Sequence, residues 1–273
     1  MSEPAPLALK SEHTSYLFYG PPGSGKTTLA ARMAGALPQG EKALVLDMDR
    51  KLSSMGNLDP AWVKKIDIWT PTATLSGTEI GIARVERYDT KKNIVPGTQG
   101  SIPKNPQGYL ELVQQCNKLL LNNPYSLVVL DTLSTTVEHL QRLICYHHQV
   151  STFTLPLWGV FATNIEELRA GLLSLPCRKV FICHTRTSEN EDTNEVRVLP
   201  SVPGQTGEKL VKDFNEAYFF QGRTGSPPAY KVLTGASRKY TCRTTLNLGT
   251  EVTVDELFKA VNMVGRSPAL TAG

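Results

Sequence analysis

The chain has 273 residues, of which 40% are hydrophobic and 20% are charged, so it can bury the core of one large α/β domain. This composition excludes global disorder, and the net charge of +4 permits a polyanionic partner without requiring one. The five cysteines show no CxxC spacing, which argues against a disulfide framework or a zinc site and favours reduced thiols.

Residues 1–14 are polar and contain prolines, so they predict a flexible N-terminal arm. They lack the apolar core of a signal peptide, and no apolar run in the chain reaches the roughly 18 residues of a membrane-spanning helix. We therefore expect a cytoplasmic protein that does not contact membranes. The arm is expected to precede a single domain at 15–263, which is followed by a tail at 264–273.

Short and mainly apolar runs predict strands, at residues 16–19, 43–46, 66–69, 127–130 and 179–183. Helical patterns lie between them, at residues 29–37, 108–122 and 164–175. The last of these helices has Asn164 as its predicted N-cap, residues 133–150 predict a helix or an ordered loop, and residues 151–162 predict irregular structure. Apolar strands that alternate with helices indicate an α/β fold with a mostly parallel central sheet flanked by helices, whose ligands bind at the carboxyl ends of the strands.

Three segments depart from this alternation. Residues 70–107 are rich in Gly, Thr, Pro and Lys, and predict an inserted hairpin or mobile loop outside the core sheet. Residues 184–210 predict a long polar loop. The late part of the chain predicts edge strands at 216–221, 229–233 and 239–243, and a helix at 253–263 that begins with a capping box of Thr253 and Glu256.

A phosphate-binding loop is predicted between the first strand and the first helix. The residues GPPGSGKT at 20–27 fit the pattern G-x-x-x-x-G-K-[ST] at every position. Glycines allow backbone N–H groups to surround a phosphate, Lys26 is expected to reach the β- and γ-phosphates, and Thr27 is expected to bind Mg²⁺. The expected ligands are therefore ATP and Mg²⁺, with expected nucleotide contacts from Gly20, Pro21, Pro22, Gly23, Ser24, Gly25, Lys26, Thr27 and Thr28.

The apolar strand in LVVLDTLSTT, residues 127–136, ends at Asp131, which is expected to hold Mg²⁺ through water. Many nucleotide hydrolases place a second carboxylate directly after this acid as the base, but this chain has Thr132 there. Asp49 is the best candidate for the base because it lies just beyond the end of another strand. Asp47 competes with it, since residues two apart in an extended chain point to the same side.

Asp49 also has a purely structural interpretation. Its carboxylate could pair with Arg50 or Lys51, or it could cap the next helix. The sequence alone leaves these alternatives open.

Together these motifs resemble the RecA-like ATPase core rather than the AAA+ core. LVLDMD at 44–49 resembles the strand that carries the catalytic acid, and LVVLDTLSTT resembles the magnesium strand. VFICHTRT at 180–187 resembles the strand whose end senses the γ-phosphate and leads into a DNA-binding loop. Residues 199–220 and 239–249 add to the resemblance, which is strongest to the Sak-type single-strand annealing proteins of the phage nucleotide-binding protein group.

The resemblance implies roles for further residues. His184 would sense the γ-phosphate, in a position where the family usually has glutamine, and Arg186 would begin the DNA-binding loop. Arg243, with Lys239 second, would reach the nucleotide of a neighbouring subunit, which requires a ring or a filament. We expect DNA contacts from Arg186, Arg197 and Arg142, the last in a segment at 138–163 that mixes aromatic and basic residues. A solvated loop and ordinary exposed charges are the alternatives.

These expectations combine into one predicted function. The protein would be an ATPase, stimulated by DNA, that binds single-stranded DNA and promotes annealing or strand exchange in phage recombination. Its partners would be single-stranded DNA, copies of itself, and a single-strand-binding protein or another replication or recombination protein. The alternatives are a helicase loader or motor subunit, a small-molecule phosphotransferase, and a nucleotide-dependent scaffold with negligible turnover.

Overall fold

The computed structural model describes residues 13–51, 59–72, 81–84, 87–88, 94–95, 99–102, 106–190, 195–204, 206–224 and 229–263. Most of the predicted arm at 1–14 and the whole of the predicted tail at 264–273 lie outside these residues. No helix within the described residues is long and apolar enough to cross a membrane.

The strands of the described residues are numbered in chain order. They are β1 (Ser15–Tyr19), β2 (Ala43–Asp47), β3 (Ile66–Trp69), β4 (Gly81–Arg84), β5 (Arg87–Tyr88), β6 (Ile94–Val95), β7 (Gln99–Ile102), β8 (Leu127–Asp131), β9 (Arg178–Cys183), β10 (Thr185–Asn190), β11 (Glu195–Pro200), β12 (Glu216–Thr224), β13 (Ala229–Leu233) and β14 (Glu251–Thr253). Eight of them form the central sheet, in the order β14-β13-β12-β1-β9-β8-β2-β3. The six strands from β12 to β3 are parallel, whereas β13 and β14 pair antiparallel at one edge. The predicted mostly parallel sheet is therefore confirmed.

Helices cover both faces of this sheet. They are α1 (Lys26–Gly35), α2 (Pro60–Val63), α3 (Gly108–Leu121), α4 (Leu133–His147), α5 (Leu155–Ser174), α6 (Thr206–Leu210) and α7 (Val254–Met263), and a 3-10 turn at Val211–Asp213 follows α6. Successive strand residues point to opposite faces, so Leu17 and Tyr19 pack with α3, α4 and α5, while Tyr16 and Phe18 pack with α1 and α7. The central strands β1, β2 and β8 are buried on both faces, as their continuously apolar sequences predict, whereas β3, β13 and β14 are partly exposed.

The start of α5 corrects the sequence analysis. The helix begins at Leu155, so residues 151–162 are mostly helical and Asn164 lies inside the helix, where its Nδ2 donates to the carbonyl oxygen of Val160 at 2.8 Å. Pro156 lies in the first turn, where no N–H group is needed for the helix. The ring of Phe161 is buried in the core, and this packing extends the helix across a segment whose Pro and Gly suggest irregular structure.

Two other segments also differ from the prediction. The polar segment 184–210 contains an antiparallel β10–β11 hairpin rather than a long loop. Residues 239–243 form no strand: Arg243 and Tyr240 make only isolated bridges, to Ala217 and Val198, and β14 is the edge strand instead. This segment crosses one face of the sheet because its aromatic and thiol side chains pack into the core there.

Other predicted elements agree with the structure. Residues 133–147 are helical, which decides between the two possibilities stated for that segment. The capping box is present: the Thr253 hydroxyl accepts from the Glu256 N–H at 3.2 Å, and the Glu256 carboxylate accepts from the Thr253 N–H at 2.7 Å. Within the 70–107 insertion, β4 pairs with β7 and β5 pairs with β6, both antiparallel and separate from the central sheet.

Candidate active site

The carboxyl ends of β1, β9, β8 and β2 meet at one edge of the sheet and border a cavity of about 370 Å³. Residues from remote parts of the chain line it, namely Pro22, Gly23, Ser24, Gly25, Lys26, Thr27, Thr28, Asp47, Asp49, Lys51, Asp131, Thr132, Ile182, His184 and Tyr230. The predicted phosphate loop, magnesium acid, base and sensor thus share one cavity.

Two glycines are required by the path of the phosphate loop. Gly25 is the N-cap of α1 with a φ of 93°, a left-handed conformation that favours glycine. Gly20 lies so close to β12 that a Cβ atom there would be 2.4 Å from the carbonyl oxygen of Phe220. No side chain caps α1, so its first N–H groups remain for an anion, which the helix N-terminus also favours electrostatically.

Lys26 lies in the wall of the cavity. Its Nζ donates to the carbonyl oxygens of Gly20 at 2.8 Å and Pro21 at 2.7 Å, and to Ser24 Oγ at 3.2 Å. Burial lowers the pKa of Lys26 to about 8, although nearby acidic groups, Asp131 first among them, oppose this shift. All three acceptors are neutral, so phosphate oxygens would be stronger partners for this ammonium group.

Thr27 and Asp131 form the predicted magnesium site. Thr27 Oγ1 donates to Asp131 Oδ2 at 2.8 Å. Burial raises the pKa of Asp131 to about 6, the hydrogen bond from Thr27 opposes the increase, and the charges of Asp49 and Asp47 add to it. Buried carboxylates that repel one another beside a hydroxyl group fit a divalent cation. The described residues hold no cluster of three His, Cys, Asp or Glu ligands, so phosphate and water would complete the Mg²⁺ coordination, as is usual for this ion.

Asp49 is held in place by hydroxyl groups. Its Oδ1 accepts from the hydroxyl of Thr132 at 3.1 Å and from that of Thr135, while Oδ2 lies 3.8 Å from His184 Nε2 and 3.4 Å from Lys51 Nζ. Burial raises the pKa of Asp49, but the contacts with His184, Thr135, Lys51 and Thr132 outweigh it and hold the pKa below its usual range. Thr132 occupies the place of the usual base, and it orients the carboxylate of Asp49, which follows β2. The predicted alternative, pairing with Lys51, is also present.

Asp47 borders the same cavity. Its side chain is buried, and it accepts from the backbone N–H of Lys51 at 3.4 Å. Asp47 lies directly beside Asp131 in the register of β2 and β8. Both candidate bases thus border the cavity, as their spacing in an extended segment predicts.

His184 connects the cavity with the β10–β11 hairpin. Its backbone N–H donates to Ser134 Oγ at 2.9 Å, and its carbonyl oxygen accepts from the N–H of Ser201 at 2.8 Å. Its Nε2 is the atom that faces Asp49, and its Nδ1 is buried without a hydrogen-bond partner among the described residues. The next residue begins β10.

A family model described as an AAA domain matches residues 12–252. The chain belongs to this family. The AAA domain is a P-loop nucleotide-binding ATPase, and the match spans every site residue that the sequence predicts. A search among curated proteins finds no match. The match supports the P-loop ATPase part of the resemblance stated above, and it does not extend to the RecA-like or Sak-type part.

The predicted DNA-binding residues of the AAA domain lie on separate elements. Arg186 is the second residue of β10, and its Nη2 donates to the carbonyl oxygen of Gly204 at 2.8 Å. Arg197 is exposed on β11 and Arg142 is exposed on α4. In the segment 138–163, the rings of Phe153 and Trp158 pack against the core with Phe161, so they are only partly exposed for stacking on bases.

Arg243 and Lys239 are exposed outside the cavity of the AAA domain. Arg243 Nη1 donates to the carbonyl oxygen of Lys212 at 2.9 Å, and Lys239 Nζ lies 5.6 Å from the centre of the Tyr240 ring. Neither residue is among those that line the cavity. Their role on the nucleotide of a neighbouring subunit stays a prediction.

The sequence analysis missed two residues of this site. Tyr230 lies on β13, and its ring would be 3.5 Å from a Cβ atom on Gly25, with the Arg223 guanidinium 5.3 Å from the ring centre. No sequence signal marks Tyr230, because β13 is a short strand next to the edge of the sheet and carries no motif. Thr135 could have been found, since a hydroxyl residue four places after Asp131 lies in the first turn of the helix that begins there.

Proposed function

We propose that this AAA domain couples ATP hydrolysis to assembly on single-stranded DNA, and that it promotes annealing or strand exchange like the RecA-like Sak-type proteins it resembles. The observation that carries the proposal is the junction at His184. The side chain that faces Asp49 in the cavity belongs to the residue directly before β10, the first strand of a polar hairpin.

The position of the base supports a RecA-like mechanism. Asp49 follows β2, whereas the residue after the magnesium acid is Thr132. This is the arrangement that the motif LVLDMD predicts by its resemblance to RecA-like proteins. The contacts of Asp49 with His184, Thr135, Lys51 and Thr132 keep its carboxylate ionised, and the two hydroxyl groups orient it towards the cavity.

The site residues then have distinct roles in hydrolysis. Asp49 orients a water molecule and accepts its proton, and Lys26 donates hydrogen bonds to the β- and γ-phosphate oxygens. Thr27 and Asp131 would hold Mg²⁺, which neutralises charge on the phosphates when bound. The N–H groups at the start of α1 stabilise the same phosphates.

His184 couples this chemistry to the hairpin. Its two backbone hydrogen bonds join Ser134, next to the magnesium strand, with Ser201, directly after β11. A shift of His184 therefore acts on both ends of the hairpin, since Thr185 begins β10. The γ-phosphate would set the position of His184, and its loss would release the hairpin.

ATP hydrolysis with and without single-stranded DNA tests the proposal, with Lys26→Ala as the control. We expect stimulation by DNA that disappears in the variant. In parallel, annealing of two complementary labelled oligonucleotides should be faster with ATP than with ADP. Hydrolysis that is indifferent to DNA, together with no DNA retained at low salt, would contradict the DNA-dependent part of the proposal. It would direct attention to a helicase partner or a small-molecule acceptor.

A further inference from the structure

Five cations from two segments of the chain lie beside the hairpin. The N–H of Val198 on β11 donates to the carbonyl oxygen of Lys239 at 2.8 Å, and Arg243 Nη1 donates to the carbonyl oxygen of Lys212 at 2.9 Å. These bonds join β11, the 3-10 turn after α6, and the segment 237–243 on one side of the molecule. Their exposed cations form what we term the basic surface, which consists of Lys209, Lys212, Arg238, Lys239 and Arg243.

The backbone beneath the basic surface is firmly held. Tyr19 donates its hydroxyl to the carbonyl oxygen of Thr241 at 2.7 Å, and the Tyr240 ring stacks on Phe219 with 4.3 Å between ring centres. Arg243 exchanges two backbone hydrogen bonds with Ala217, of 2.7 and 2.9 Å. The cations therefore extend from an ordered platform, which reduces the entropy lost when they bind a ligand.

Two acids close to the basic surface are already satisfied. Asp213 pairs with Arg169, and the buried Glu216 carboxylate accepts from Tyr218 and Thr244 at 2.5 and 2.8 Å. In the part of the chain that the structure describes, no ion pair joins a carboxylate to any of the five cations. The basic surface thus carries a net positive charge that favours a polyanion.

Of the residues that the sequence analysis expects to contact DNA, Arg197 lies on β11 beside the basic surface, and the other two lie on other elements or have a partner. Arg186 uses its guanidinium group on Gly204, and Arg142 lies apart on α4. We propose that the basic surface binds the phosphate backbone of single-stranded nucleic acid without reading its sequence. The proposal rests on the proposed function and names the surface that carries it out. Nucleic acid bound there would contact Lys239 and Arg243 without requiring a neighbouring subunit.

The test uses a triple variant, Lys209→Gln with Lys212→Gln and Arg238→Gln, which spares Lys239 and Arg243. The matched control removes three exposed lysines elsewhere, through Lys64→Gln, Lys118→Gln and Lys259→Gln. Anisotropy of a labelled oligo-dT is measured over a range of KCl concentrations. The slope of log affinity against log salt is negative, and each lost phosphate contact reduces its magnitude by about 0.7. We therefore expect the magnitude to fall by about 2 in the triple variant and to stay unchanged in the control.

Three other outcomes would each contradict the proposed DNA binding by the basic surface, and they can be told apart. Equal slopes for the triple variant and the control would leave DNA binding intact but place it elsewhere. A wild-type protein that retains no DNA at low salt would overturn the proposed function as well. An unchanged slope with a reduced mass by light scattering would assign the surface to contacts between subunits. Lys212→Glu provides a second variant, for which we expect weaker DNA binding than for Lys64→Glu.

Discussion

The carboxylate of Asp49 and the imidazole of His184 face one another across the cavity, with 3.8 Å between Oδ2 and Nε2. They follow β2 and β9, which are separated in the sheet by β8, the strand that ends in Asp131. The candidate base, the magnesium acid and the residue before the hairpin are therefore neighbours. The cavity and the β10–β11 hairpin are therefore adjacent in the chain, because the residue that borders the cavity directly precedes the hairpin.

Replacing Asp49 with Asn should reduce kcat about 100-fold or more while ATP binding persists, because the amide cannot accept the proton of the attacking water. Single-turnover hydrolysis and equilibrium binding of a fluorescent ATP analogue measure the two effects separately. Asp47→Asn is the matched control, since Asp47 borders the same cavity. Loss of turnover in that variant alone would identify Asp47 as the base.

Thr135→Val should lower kcat about tenfold with little change in KM, because a hydrogen bond to a charged group is worth roughly 1.5–3 kcal/mol and here it orients the base. Steady-state kinetics measure this effect. Thr135→Ser keeps the hydroxyl that donates to Asp49 and should restore most of the rate. A full rate in Thr135→Val would show that the hydroxyl does not orient the base.

Asp131→Asn should stabilise the nucleotide-free protein at pH 7.5 by up to about 3 kcal/mol, at 1.36 kcal/mol per pKa unit. The pKa of Asp131 is raised from 3.8 to about 6 in the folded state. Between these pH values the folded protein binds more protons than the unfolded chain. The contribution of Asp131 to the free energy of unfolding is therefore fully present below pH 4 and is lost as the pH rises through 6.

Urea unfolding in EDTA measures this difference between Asp131→Asn and the wild type. The stabilisation should shrink as the pH falls towards 4. Mg²⁺ with ADP should stabilise the wild type more than the variant, because the variant lacks the carboxylate that would hold the ion. A variant that is less stable than the wild type at pH 7.5 would contradict the raised pKa.

ATP binding at pH 8.5 should take up about 0.7 proton, since Lys26 with a pKa of about 8 is then mostly neutral and anionic phosphates favour its charged form. Calorimetric titrations in two buffers that differ in ionisation enthalpy measure this uptake. At pH 6.5 the lysine is already charged and its contribution should vanish, which provides a control within the same protein. Above pH 8 the affinity for ATP should fall as the pH rises. Uptake that persists in Lys26→Met would show that another group titrates.

Tyr230→Ala should raise KM for ATP at least fivefold and leave kcat nearly unchanged, because stacking of a base on an aromatic ring is worth roughly 1–3 kcal/mol. The ring lies beside Gly25 at the cavity, where it can contact the base of a nucleotide whose phosphates occupy the loop. Tyr230→Phe should behave like the wild type. If both variants have the wild-type KM, the ring does not contact the base.

A site residue can be predicted from the sequence when residues close to it in the chain determine its position. It is harder to predict when distant residues determine that position. Asp49 and Asp131 are predicted because each lies at or just beyond the end of an apolar run, and parallel strands bring such ends to one edge. His184 is predicted from the resemblance of VFICHTRT to the sensing strand of RecA-like proteins. The start of α5 was misplaced because Pro156 and Gly159 look like helix breakers. Burial of Phe161, which depends on other elements, determines that helix instead.

The sequence by itself determined the phosphate loop and the class of the fold. The loop is built by adjacent backbone groups between a strand and a helix, so residues 20–27 are sufficient to specify it. Only the tertiary structure decided that Thr135 holds Asp49, that Tyr230 borders the cavity, and that two basic segments form one surface. Those contacts depend on the order of the strands in the sheet, which brings together residues that are far apart in the chain.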